Sequence, residues 1–150
     1  MNKIPFTKQG FEDLKKELEI LISKRPDAVK ALTRGREMGD LSENGLYKAA
    51  KQELNSLDRD IRNLKYLVKS ANVIVPTSNN IVSIGNKIIV NTNNEQKEFF
   101  MVGEFEANPS LGKISNKSPI GFALMGRRKG DNIDIQTPNG SLNYKILEIK

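Results

Sequence analysis

The chain has neither cysteine nor histidine among its 150 residues. Without cysteine there is no disulfide and no thiol nucleophile, and without histidine there is no Ser-His-Asp triad. Losing both removes the usual zinc ligands and the imidazole that carries protons near neutral pH. Tryptophan is also absent, and the aromatic residues are three Tyr and six Phe. An aromatic-lined pocket, as a prolyl isomerase would need, is a poor fit to that supply. No long apolar run occurs, and the opening MNKIPFTKQG reads as neither leader peptide nor membrane span. The expectation is a soluble cytoplasmic protein with no membrane partner. Any chemistry must rest on carboxylates, Lys, Arg, Tyr, Ser or a metal shared with another molecule.

Charge is present on both sides, with 24 Lys and Arg against 18 Asp and Glu, for a net charge of +6. A basic balance suits phosphates, acidic proteins or acidic membranes, and equally a solvated surface.

The first half has helical rhythm. Thr7 is placed to cap a helix start. Phe11, Leu14, Leu18 and Leu21 follow at spacings of three and four, and the register continues through Arg25, Ala28, Leu32 and Gly35. A second segment repeats it with Tyr47, Ala50, Leu54, Leu57, Ile61, Leu64, Val68 and Ala71. Such spacing keeps one narrow apolar seam against a partner helix, as in a coiled coil. Two segments joined by a short break at Glu37-Met38-Gly39-Asp40 predict an antiparallel hairpin. Arms of about 30 residues would be roughly 45 Å long. Pro26 predicts a kink in the first arm, and Arg25 interrupts the seam beside it.

The second half changes period. Segments 73–75, 87–90, 97–102, 132–137 and 142–149 are rich in β-branched and aromatic residues. Turn signals separate them at Thr92-Asn93-Asn94 and Pro138-Asn139-Gly140. A short helix is predicted after Ser118, with Pro119 first and Gly126 as its stop. The reading is an α+β protein: a helical coiled-coil hairpin over residues 1–75, a linker over 76–80, and a small domain over 81–150 with an antiparallel sheet and one short helix.

The stretch that draws attention is GDLSENGLYKAAKQE, Gly39 to Glu53. Asp40 and Glu43 are three apart, a spacing that makes neighbours on a helix. Magnesium is often held by one or two carboxylates with phosphates and water. Two carboxylates are too few for a strong site of their own, and suit completion of a site begun by a partner. Asp40 with Glu43 also matches a capping box, a purely structural use, and Ser42 is an alternative cap with Leu41 and Leu46 as a staple.

GDLSENGLYKAAKQE resembles the signature of the GreA/GreB transcript-cleavage factors. So do Pro5, Thr7, Gly10 and Leu14 near the start, Arg25-Pro26 before the tip, and ISNKSPIGFALMGRRKGD with TPNG in the second half. The resemblance is collinear over nearly the whole chain. It implies that the second domain is FKBP-like and docks on bacterial RNA polymerase, while the coiled coil enters the secondary channel. Asp40 and Glu43 match the family's tip carboxylates, and would hold Mg2+ jointly with the polymerase and stimulate cleavage of the 3′ end of backtracked RNA. The chain would then not be an enzyme itself, and would bind no cofactor tightly alone. Arg36, Ser42, Tyr47 and Lys51 match positions near the tip and would contact RNA or polymerase. Alternatives stand beside these roles: a solvated face for Arg36 and Lys51, packing for Tyr47, a cap for Ser42. Free duplex DNA is expected to bind weakly at most. The rival function is a channel-binding regulator without cleavage activity. Gly45-Leu46 stands where the family often has Ala-Glu, and Lys48 where it usually has His.

Overall fold

The computed structural model describes residues 3–38 and 44–150. Its contacts divide it into two units, Glu12–Ser70 and Met1–Phe11 with Ala71–Lys150.

The first of these units is the hairpin. Helix α1 runs Lys8–Glu37 and α2 runs Gly45–Ser70. At 1.5 Å per residue they are about 45 and 39 Å long. The arms are antiparallel: Gly35 meets Tyr47 near one end, and Arg25 meets Asp58 further along. Seam positions behave as their spacing predicts, with Leu14, Gly35, Ala50 and Ile61 buried and Leu18, Leu21, Leu54, Leu57 and Leu64 half-buried. Arg25 is the exception and is exposed. Helical structure continues through Pro26, which has no N–H to offer the Ile22 carbonyl. Among the described residues no helix is long and apolar enough to cross a membrane.

In the second unit the sheet order is β5-β4-β3-β7-β6, built from β3 Lys87–Thr92, β4 Glu95–Val102, β5 Lys113–Ser115, β6 Asn132–Thr137 and β7 Gly140–Ile149. A separate two-stranded parallel ribbon joins β1 Ile4–Phe6 to β2 Ala71–Val73. Alternation sets the buried face: Ile88 and Val90 of β3, Ile133 and Ile135 of β6, and Tyr144 and Ile146 of β7 all enter one core with Met101 and Leu124. Two hairpin turns fall where the polar signals stood. Asn93 and Asn94 both take positive φ, 52° and 63°, as a two-residue turn matched to strand twist requires. Helix α3, Pro119–Leu124, is capped by Ser118, whose hydroxyl accepts from the Gly121 N–H.

Two expectations need correction. The sheet is mixed, not antiparallel, because β5 lies parallel to β4. The chain between them makes two 3-10 turns, Glu104–Glu106 and Pro109–Leu111, in place of a tight hairpin. The strand expected at 73–75 is Ala71–Val73, and its partner β1 was not foreseen. The ribbon places Met1–Phe11 in one compact unit with the sheet.

One carboxylate organises the start of α1. Glu106 accepts from the Thr7 N–H at 2.9 Å, the Thr7 hydroxyl, and the Gly103 N–H at 3.2 Å. The Thr7 hydroxyl in turn accepts from the Gly10 N–H at 3.0 Å, which makes Thr7 the N-cap its position predicted.

Candidate functional site

The candidate site is the end of the hairpin where α1 and α2 meet. Gly35 permits the close approach: a Cβ there would lie 2.9 Å from the Tyr47 Cα. Asn44 then makes the junction. Its side-chain oxygen accepts from the Tyr47 N–H at 3.1 Å, and its side-chain amide donates to the Gly35 carbonyl. One side chain therefore caps α2 and gives the Gly35 carbonyl, which also accepts from the Met38 N–H at 3.3 Å, a second donor.

Asn44 is the functional-site residue that the sequence reading missed. The signal was present, because Asn is a strong cap, but Asp40 and Ser42 competed with it in the same short stretch. Asp40, Ser42 and Glu43 lie outside the described residues, as does Leu41 of the expected staple. The described second arm begins at Gly45, and Asn44 caps the Tyr47 N–H of its first turn.

The structure brings two other expected residues together. The Arg36 guanidinium carbon stands 5.9 Å from the Tyr47 ring centroid, within cation–π range. Tyr47 is half-buried at the seam, while Arg36 and Lys51 are exposed. Packing therefore accounts for part of Tyr47, and Arg36 shields one ring face. Arg34 and Arg36 lie in the last turn of α1, where positive charge complements the helix dipole. Leu46 and Met38 are exposed at 61% and 64%, so the tip also offers apolar surface. Gly45 has open space around it; its absent side chain relieves no crowding.

Among the described residues no group of three or more carboxylates is placed to hold a metal ion. Asp40 and Glu43, the expected metal ligands, lie outside the described residues; carboxylate oxygens are hard ligands of the type magnesium takes.

Further down the hairpin, Arg25 and Asp58 join the arms through two bonds, Nε to Oδ1 at 2.8 Å and a terminal nitrogen to Oδ2 at 3.3 Å. The Arg25 hydrogen bond holds the Asp58 carboxyl below its ordinary range, with the Arg25 and Arg62 charges adding to it. A depressed carboxylate contributes stability that is present above its unfolded value and lost as pH falls through the folded one. Asp58→Asn should thus lower the melting temperature slightly at neutral pH, as expected of a solvent-screened pair, and the gap from the native chain should close as pH drops below the carboxylate range. A gap that stays constant in acid would refute this.

Comparison with known proteins adds independent information. Residues 4–73 match the family described as "Transcription elongation factor, N-terminal", and residues 77–150 match "Transcription elongation factor, GreA/GreB, C-term". A protein of Thermomicrobium roseum named "Transcription elongation factor GreA" is 38% identical over 152 residues, covering 99% of this chain and 97% of that one. A protein of the same name from Thermodesulfovibrio yellowstonii is 40% identical over 153 residues, covering 99% and 97%. Among solved structures, the GreA factor homolog 1 (Gfh1) of Thermus thermophilus is 28% identical over 99% of both chains, with a TM-score of 0.47.

Proposed function

Because the chain belongs to the GreA/GreB family of transcription elongation factors, we propose that it stimulates RNA polymerase to cleave the 3′ end of backtracked RNA, working in the cytoplasm through the secondary channel. The observation that carries this reading is the family match along the chain, over residues 4–73 and 77–150, with Asp40 and Glu43 inside the motif that joins the two helices in sequence.

Each part of the chain has a task in this reading. The hairpin spans the distance, since arms of about 39–45 Å reach well into a protein channel. Asp40 and Glu43, which lie between the two helices in sequence, would supply the carboxylates. A magnesium ion held jointly with the polymerase would supply Lewis-acid chemistry for phosphodiester hydrolysis. The chain brings too few ligands to act alone, so the catalyst is the polymerase and this protein completes it. Arg36 and Lys51 add positive charge beside the tip for RNA phosphates.

The sheet domain is the docking body. Phe122 of α3 is 77% exposed, an unusual position for a large apolar ring. Arg127, one turn on, bonds back to the Ala123 carbonyl at 3.2 Å. Phe122→Ala should raise the concentration of factor needed for half-maximal cleavage about tenfold, equivalent to ~1.4 kcal/mol. The rate at saturation and the melting temperature should stay unchanged. An unaltered concentration dependence would remove Phe122 from the docking surface.

The deciding experiment is a cleavage assay on stalled complexes with purified bacterial polymerase, comparing the native chain with Asp40→Asn and Glu43→Gln. Stimulation by the native chain alone supports the proposal. Binding without stimulation in all three supports the rival reading, a channel-binding regulator that does not cleave.

A further inference from the structure

Midway along the hairpin the usual means of joining two helices are weak. Pro26 cannot donate to the Ile22 carbonyl, and its ring crowds the preceding turn. The Ser23 hydroxyl donates to the Ile20 carbonyl at 2.6 Å, a back-bond that tends to bend helices. Two open clefts flank the seam at the same level. Ala28 and Ala31 border an open cleft of about 520 Å³ with Leu57 across from them. A second cleft, about 290 Å³, lies between Ile22 and Ile61. At the seam position where an apolar knob belongs, the chain has Arg25.

Arg25 sits beside the proline and grips Asp58 on the other arm with two parallel bonds. A planar two-point fork fixes both separation and rotation of its partner, which one charge contact does not. Arg25 is exposed and Asp58 half-buried, at 49% and 29%. An exposed ion pair adds little to global stability, so geometry is the stronger reason for its form.

We propose that Arg25 and Asp58 are positioning residues, whose fork holds the two arms in one register across the proline turn and thereby aims the tip. The aim matters for cleavage only if the tip carboxylates act as argued under Proposed function. The fork's mechanical effect does not depend on that.

The test uses the full chain with Arg25→Met, Arg25→Lys, Asp58→Asn and the exchanged pair Arg25→Asp with Asp58→Arg. Methionine suits the seam, so Arg25→Met should melt within a few degrees of the native protein. Since the protein has no cysteine, Thr33→Cys with Gln52→Cys places two spin labels beyond the fork without interference. The distance distribution between them should broaden in Arg25→Met and narrow again in the exchanged pair. With polymerase, the cleavage rate at saturating factor should fall about tenfold or more, since small misplacements at a reacting centre are costly. The half-maximal concentration should not move. Arg25→Lys should recover only part, because an ammonium is a point charge. An unchanged distance distribution in Arg25→Met overturns the proposal. So does a rate loss that merely follows a loss of melting temperature. If the native chain fails to stimulate cleavage, the proposed function falls, and the label distances still decide the role of the fork.

Discussion

Stimulated RNA cleavage is expected to fall about 100-fold or more in Asp40→Asn and in Glu43→Gln, with polymerase binding retained. Losing a group that merely supports a metal ligand typically costs 10- to 100-fold, and a ligand itself belongs at or above the top of that range. A 100-fold loss corresponds to ~2.7 kcal/mol of transition-state stabilisation. The structural alternative makes a different forecast. Acidic residues that only decorate a helix start contribute about 0.3–1 kcal/mol to stability and nothing to cleavage. Asn44 already accepts from the Tyr47 N–H, so both variants should unfold within about 0.5 kcal/mol of the native chain. Each should also need more magnesium to reach half of its residual rate. Cleavage at native rates with native magnesium dependence would remove both carboxylates from the reaction.

The largest effect on stability is expected at Gly103. An alanine Cβ there would lie 2.0 Å from the Pro5 carbonyl oxygen. Backbone torsion is not the obstacle, since φ −75° and ψ 166° are open to any residue. The obstacle is a main-chain atom of β1, which cannot rotate aside and is held by its ladder to β2. Gly103→Ala should therefore destabilise by about 3 kcal/mol, which for a unit of this size lowers the melting temperature by about 10–20 °C. Gly10→Ala is a useful contrast. The new Cβ would meet the Glu106 carboxylate at 1.7 Å, which is a side chain and can move. Alanine gains about 1 kcal/mol of helix propensity, set against charge-assisted bonds to Glu106 worth about 1.5–3 kcal/mol each. Displacing the carboxylate from all three of its bonds would cost at least as much as Gly103→Ala, so a smaller loss at Gly10 would show that Glu106 shifts and keeps most of them. A Gly103→Ala melting temperature within 3 °C of native would show that β1 yields freely.

The hairpin could be read from sequence because its signal is local. Spacings of three and four, a capping Thr7 and a seam closing on Gly35 all follow from the geometry of one helix and its nearest partner. The turn at Asn93-Asn94 and the Ser118-Pro119 helix start are local for the same reason. The tip carboxylates were equally legible as a motif, and sequence remains their source, since Asp40, Ser42 and Glu43 lie outside the described residues.

What required the tertiary structure was every pairing between distant segments. Strands β1 and β5 have three residues each, too few for alternation to announce them. Their partners lie far along the chain or beyond a turn-rich crossing. The grip of Glu106 on Thr7 joins residues 99 positions apart, and no spacing rule reaches that far. Arg25 reads in sequence as a flaw in an apolar seam, and becomes a two-point link only once Asp58 stands opposite it. Asn44 looks like one of several possible caps until the Gly35 carbonyl is seen within its reach. Periodicity is a property of a segment by itself, and it determined the helices and most strands. Register between segments is chosen by which partners can meet, and only the folded chain settles that.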